Sequence, residues 1–308
     1  MKNQILIIFF ISITFSTYSV SEIYKWRDES GRVHFGDKPA AGVEKTKIEL
    51  AVRKSQWVGF KIKIDDQGVN LTDDERARIE TDVNAVYRFF DKKLYFDIYK
   101  TIPINVKIFG HQKEYKNYIA EVSLNLIHTR GIYIHSKRQI ALYMREDRES
   151  TFQTIKHEVS HAIIRSLSPY ISSWLNEGLA ENMEMITVEN NRLFLGVHEE
   201  NFHNLIRYDK NNSLMQASKF IALKSKEWRK QNISSKYVLQ TQAGELVRLL
   251  LSTPQGRSFV IRLLHAYKSG DRTLASRFAE KHYVGGLFAL EQNWEKWKRS
   301  TSKERISL

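Results

Sequence analysis

No cysteine occurs among the 308 residues. Disulfides, thiolate metal sites and a lipidated cysteine near the N-terminus are thereby excluded. A basic stripe with interleaved aromatics is also missing, although 48 lysines and arginines face 35 aspartates and glutamates, for a net charge of +13. That excess favours anionic surroundings such as lipid headgroups, cell-wall polymers or nucleic acid, and it also serves plain solubility. The apolar run from Ile5 to Phe15 is too short to span a bilayer comfortably. Lys2 before it and Ser19-Val20-Ser21 after it read as a secretory leader over residues 1–21, with an uncleaved anchor as the alternative. A cleaved leader puts the mature protein in a periplasm or outside the cell. That argues against nucleic acid as a partner and leaves membrane association to the leader or the basic surface.

What remains is 42% hydrophobic over the whole chain, enough for a packed core, and its length suits one large domain plus a small one. Within it, His157-Glu158-Val159-Ser160-His161 forms an H-E-x-x-H motif. On a helix, positions i and i+4 share a face, so His157 and His161 can offer two imidazole nitrogens to one metal ion. Glu158 then lies beside the metal without binding it, where a general base for a polarised water belongs. A catalytic zinc site takes three protein ligands and keeps one position open. Glu177, in Trp174-Leu175-Asn176-Glu177-Gly178-Leu179-Ala180-Glu181, is the candidate third ligand.

Two further absences narrow the class. The metzincin extension requires Gly at 164 and His at 167, where Ile164 and Leu167 stand. The Gly-x-Met-Glu-Asn signature that holds a free α-amine in aminopeptidases is also absent, so exopeptidase specificity is not supported. After a break at Ser168-Pro169 comes a helical pattern carrying Asn176-Glu177. In this the chain resembles the gluzincin metallopeptidases, specifically the peptidase MA-like group. The resemblance implies an α+β, thermolysin-like catalytic domain over residues 58–300, with Zn2+ on His157, His161 and Glu177 and Glu158 as base. It also implies that the strand before the metal helix, residues 139–144, is a sheet edge that pairs with a peptide substrate. Asn176 and Glu181 take supporting places around the ligands. Glu181, one turn after Glu177, either accepts a hydrogen bond from the far nitrogen of a ligand histidine or is an ordinary solvated charge. Gly178, costly inside a helix, points to a close helix–helix approach.

The rest of the chain is read in order. Residues 22–52 form a small unit, with strand-like runs at 23–26 and 32–35 around the turn Asp28-Glu29-Ser30-Gly31. The pattern Tyr24-x-Trp26-x-Asp28-x-x-Gly31-x-Val33-His34-Phe35 resembles a small domain of unknown function found after the leader of secreted proteobacterial proteins. Trp26 and Phe35 are either a miniature core or a binding platform. Residues 42–57 read as a linker. Strands are expected at 60–64, 104–109, 131–135 and 139–144. Helices are expected from Thr72, with Ile79, Val83, Val86, Tyr87 and Phe90 inward, and over 149–166. On that second helix, Lys156 and Arg165 are read as solvated. His135, His198 and His203 are read as ordinary, non-ligating histidines. From Ser234 onward the pattern is all-helical, in four runs. Tyr237 opens the first and is either a core tyrosine or, as the resemblance implies, the group that stabilises the oxyanion. Residues 301–308 read as a basic, frayed tail.

The reading that follows is a zinc-dependent endopeptidase acting on peptide bonds of the bacterial envelope, with a peptide or protein substrate. The alternative is a non-catalytic, metal-containing protein that binds the cell envelope.

Overall fold

The computed structural model describes strands Ile23–Arg27, Val33–Gly36 and Lys45–Ile48 by their backbone, and residues 62–96, 104–123, 128–235, 237–300 and 303–308. The expected leader lies outside the described residues, as do the side chains of Trp26, His34 and Phe35. Contacts divide the chain into two units, Met1–Trp57 and Val58–Leu308.

In the first unit, β1 (Ile23–Arg27) pairs antiparallel with β2 (Val33–Gly36), Trp26 opposite His34. The stretch read as a linker contributes a strand too. β3 (Lys45–Ile48) pairs along the other side of β1, giving the order β2-β1-β3. Its Lys-Thr-Lys-Ile pattern alternates charged with uncharged residues, a period too short to stand out in the sequence.

The second unit is α+β. Four strands, β4 (Lys63–Gln67), β5 (Asn105–Phe109), β6 (Gly131–Ile134) and β7 (Gln139–Tyr143), lie in the order β4-β5-β7-β6. β4, β5 and β7 are parallel, and β6 runs antiparallel beside β7. The crossover from β4 is α1 (Asp73–Lys92). It starts at a capping box: Thr72 Oγ1 accepts the Glu75 N–H at 3.2 Å, and Glu75 accepts the Thr72 N–H at 2.9 Å. The five inward positions expected from its spacing are all buried. α2 (Gln112–Ala120) closes one face with Tyr115 and Ile119 against Phe109, Ile134 and Ala141.

This order corrects one expectation. β7 is interior, with buried Ile140, Ala141 and Leu142, and partners on both sides. A parallel crossover sets β7 next to β5, so the hairpin connection leaves β6 as the free antiparallel edge.

Behind the sheet, α3 (Arg148–Leu167) begins at Asp147, whose carboxylate accepts the Glu149 N–H. It buries Phe152, Ile155, Val159, Ala162 and Ile163. After Ser168-Pro169 the chain enters α4 (Ser173–Glu184) and then the hairpin β8 (Ile186–Glu189) and β9 (Arg192–Leu195). The two-residue turn is Asn190-Asn191, both at positive φ. Asparagine tolerates that region, and such turns match strand twist.

Short helices α5 (Glu199–Lys210), α6 (Ala217–Phe220) and α7 (Ser225–Ser234) come next. The expected four runs follow as α8 (Val238–Ser252), α9 (Pro254–Lys268), α10 (Ala275–His282) and α11 (Gly286–Lys298). α8 is buried almost all round, as the central helix of a layered unit must be. It packs on α4 where Gly178 stands: a Cβ there would lie 2.5 Å from the Ala243 carbonyl oxygen and closer still to Val247.

The end of the chain is not frayed. β10 (Ile306–Ser307) adds to β9, Arg248 donates to the Glu304 carbonyl at 2.6 Å, and Arg305 pairs with Glu189 at 2.5 Å. Its basic residues are cross-links to specific partners, which composition does not distinguish from a solvated tail.

Candidate metal centre

α3 and α4 lie against each other, so the motif helix and the Asn-Glu helix share a seam. His157 and His161, one turn apart, cross at 82° with ring centroids 4.7 Å apart. Glu177 reaches across from α4. Its Oε2 lies 3.9 Å from His157 Nε2 and 3.8 Å from His161 Nε2. One donor atom from each of the three falls within 4.8 Å of the others. Two ~2 Å metal bonds at a tetrahedral angle would hold donors about 3.3 Å apart, so the gap suits one cation after a shift of half an ångström. The imidazoles are mostly buried, and Glu177 is half-exposed, which keeps one side open.

Glu158 is buried, and among the described residues nothing donates a hydrogen bond to its carboxylate. Gly131, the first residue of edge strand β6, faces it: a Cβ at 131 would meet Thr154 at 2.7 Å and Glu158 Cγ at 3.4 Å. The absence of a side chain therefore brings the strand edge up against the base.

On the far side of His157 the expectation for Glu181 is corrected. Glu184 takes the hydrogen bond, its Oε1 2.7 Å from His157 Nδ1, whereas Glu181 Oε1 is 4.0 Å away. Glu181 is instead held by the Asn201 amide at 2.7 Å and the Gln240 amide at 2.5 Å. It is buried, so it is no solvated charge either. Its other neighbour is Gly244 on α8, where a Cβ would meet Glu181 Cβ at 3.1 Å.

His198, read as an ordinary, non-ligating histidine, joins this network. Its Nε2 is 3.3 Å from Glu184 Oε2 and 3.7 Å from Glu181 Oε2. Its Nδ1 accepts the Asn201 N–H at the start of α5, so Nε2 is the nitrogen that donates to Glu184. The β8–β9 hairpin folds the chain back to bring it there.

The electrostatics follow from this arrangement. Burial alone would pull the His157 imidazole down, but Glu184, with Glu158 and Glu181 nearby, raises it to about 10. Burial pushes Glu184 up, yet its bonds to the two histidines bring it down to about 2. Burial and the charge of Glu184 raise Glu181. These acids favour the protonated imidazole of His157, and a cation at Nε2 would have to displace a proton there. His157 Nδ1, Glu181 and Glu184 also converge within 4.8 Å. There the donor atoms are engaged with His157, Asn201, Gln240 and His198, so the Nε2 side is the one with donors to spare.

Lys156, read as solvated, is buried under β8 with Nζ 3.3 Å from the Ile186 carbonyl, and burial lowers its pKa. Asn176 is half-buried; among the described residues its amide bonds none of the metal-site side chains. Tyr237 caps α8 at φ +70° and is 58% exposed, so the core alternative for it fails. His135 and His203 are exposed, away from this cluster.

Glu184 was findable. It lies seven residues after Glu177, two helical turns along the same face. His198 had no such signal, because histidine is not a usual helix cap.

Residues 20–56 match the family model described as Domain of unknown function (DUF4124). No curated protein matches the chain.

Proposed function

We propose that the second unit is a zinc-dependent endopeptidase of gluzincin type, thermolysin-like in fold, which hydrolyses peptide bonds in the bacterial envelope. One observation carries this reading: the Glu177 carboxylate stands 3.8–3.9 Å from the Nε2 atoms of both motif histidines. His157, His161 and Glu177 would hold the ion. When bound, zinc lowers the pKa of a coordinated water towards 7 and polarises a carbonyl.

The chain's own residues do the rest. Glu158, with no donor tying up its carboxylate among the described residues, takes the proton of the attacking water and passes it to the leaving nitrogen. Glu184 accepts the Nδ1–H of His157, which fixes the tautomer and would leave Nε2 as the nitrogen available to a metal. The free edge of β6 offers backbone groups to an extended peptide, and Gly131 lets that peptide run close to Glu158. Tyr237, exposed and opening α8, is the candidate to stabilise the oxyanion.

The test is metal analysis together with a peptide-library digest of wild type and Glu158→Gln. Wild type should carry one zinc and cleave internal bonds. The variant should keep the metal and lose about 10²–10⁴-fold in turnover. A fully active Glu158→Gln would end the assignment. Zinc without cleavage of any peptide, with retention on cell-wall material, would favour the non-catalytic envelope-binding alternative.

A further inference from the structure

Phe288, 75% exposed, and Val284, 68% exposed, stand four residues apart at the corner between α10 and α11. The corner is rigid in its construction. Gly285 and Gly286 hold φ of +83° and +65°, a region that side-chain-bearing residues rarely adopt. Glu280, from α10, accepts the Leu287 N–H at 3.0 Å and clamps the turn. The two apolar side chains are therefore presented to solvent by a fixed scaffold.

Charge surrounds them unevenly. Arg277 and Lys281 on α10 and Lys296 on α11 are exposed, and among the described residues none of the three pairs with an acid. The acids of the same helices are engaged. Glu280 closes the corner, Glu291 accepts the Ala217 and Ser218 N–H groups, and Glu295 faces Lys298 and Arg299. Beside the tip lies a hollow of about 530 Å3, walled by Val284, Tyr283 and Trp297 with Lys296 among its polar lining.

We propose that this corner is a docking surface for an anionic lipid bilayer. A projecting apolar pair, on helices whose exposed Arg277, Lys281 and Lys296 have no acidic partner among the described residues, matches a layer whose surface is negative and whose interior, a few ångströms down, is apolar. No helix among the described residues is long and apolar enough to cross a membrane, so their contact with the bilayer is peripheral. The surface is separate from the metal centre and stands whether or not the peptidase reading does.

The experiment is co-sedimentation of the full chain with phosphatidylglycerol vesicles and with phosphatidylcholine vesicles. Any pull from the N-terminal apolar run is common to all variants and cancels in the comparison. Wild type should bind the anionic vesicles more tightly, with the preference lost near 0.5 M salt, where charges over ~5 Å apart are largely screened. Val284→Ser with Phe288→Ser should weaken binding by about tenfold or more. Arg277→Gln with Lys281→Gln and Lys296→Gln should weaken it on the order of 100-fold. Tyr95→Ser, another exposed aromatic, is the control and should leave binding unchanged. Equal binding to both vesicles, or binding indifferent to the corner variants, overturns the proposal. Self-association lost in the Phe288→Ser variant, without vesicle binding, would assign the patch to a second copy of the chain and overturn it as well.

Discussion

The His157 ring separates two regions of opposite character. On its Nε2 side, Glu177 stands 3.9 Å from His157 and 3.8 Å from His161, too far for hydrogen bonds and open to one side. On its Nδ1 side, buried Glu181 and Asn201 and half-buried Glu184, His198 and Gln240 form a continuous hydrogen-bonded set. The difference teaches where orientation is stored. A cation-binding face must leave its donors unpaired until the ion arrives. The ring can be held ready only from behind, where every polar atom has a partner. His161 has no such support: its Nδ1 is buried without a hydrogen-bond partner among the described residues. Its orientation is held without that hydrogen bond, so as ligands the two histidines would be unequal.

The sharpest way to break this comparison is to remove a front donor. Glu177→Ala should abolish cation binding under conditions where wild type retains one zinc, because two imidazoles alone leave half the coordination shell to water. Metal content after dialysis measures it. Retention of zinc by Glu177→Ala would mean that the ion sits elsewhere.

A back-side change should attenuate without abolishing. Glu184→Gln keeps the shape but no longer presents a charged acceptor to both His157 and His198. Zinc affinity should fall about 10–100-fold, as loss of a ligand's hydrogen-bond partner does. Glu184→Asp should recover part of it, and the visible spectrum of a cobalt-substituted sample should shift in Glu184→Gln as the ring reorients. Wild-type affinity and spectrum in Glu184→Gln would show that the back network only fills space.

These two regions also differ in how legible they were. The front was readable because its geometry is local: i, i+4 on one helix and a carboxylate on the next. The back draws on four elements, α4, the turn into α5, α5 and α8, and its members meet only because the Asn190-Asn191 turn folds the chain over. Asn-Asn between charged neighbours looks like any polar loop. The same hairpin buries Lys156 and anchors β10, which accounts for the misreading of Lys156 and of the tail. In the sheet, periodicity identified β6 and β7 as strands but says nothing about neighbours. Parallel pairing of β5 with β7 is a topological fact, and it moved the free edge from β7 to β6. α1 was legible in full because cap, acidic first turn and apolar spacing all agree.

The smallest effect on the metal, and a test of what holds both regions in place, comes from Gly178. Two terms oppose each other in Gly178→Ala. Alanine gains about 1 kcal/mol of helix propensity over glycine. Against it, the new methyl would lie 2.5 Å from the Ala243 carbonyl oxygen, a backbone atom of buried α8 that cannot rotate aside, while Val247 could. Overpacking of this kind costs about 1–3 kcal/mol, so steric cost should win by up to about 2 kcal/mol. In a unit of this size that lowers the melting temperature by up to roughly 8 °C. The ring of His157 is gripped through Glu184, two turns further along α4, so zinc affinity should change far less than in Glu184→Gln. A variant that melts above the wild-type temperature would mean that α4 and α8 are not in contact at Gly178, and the network that depends on their approach would lose its footing.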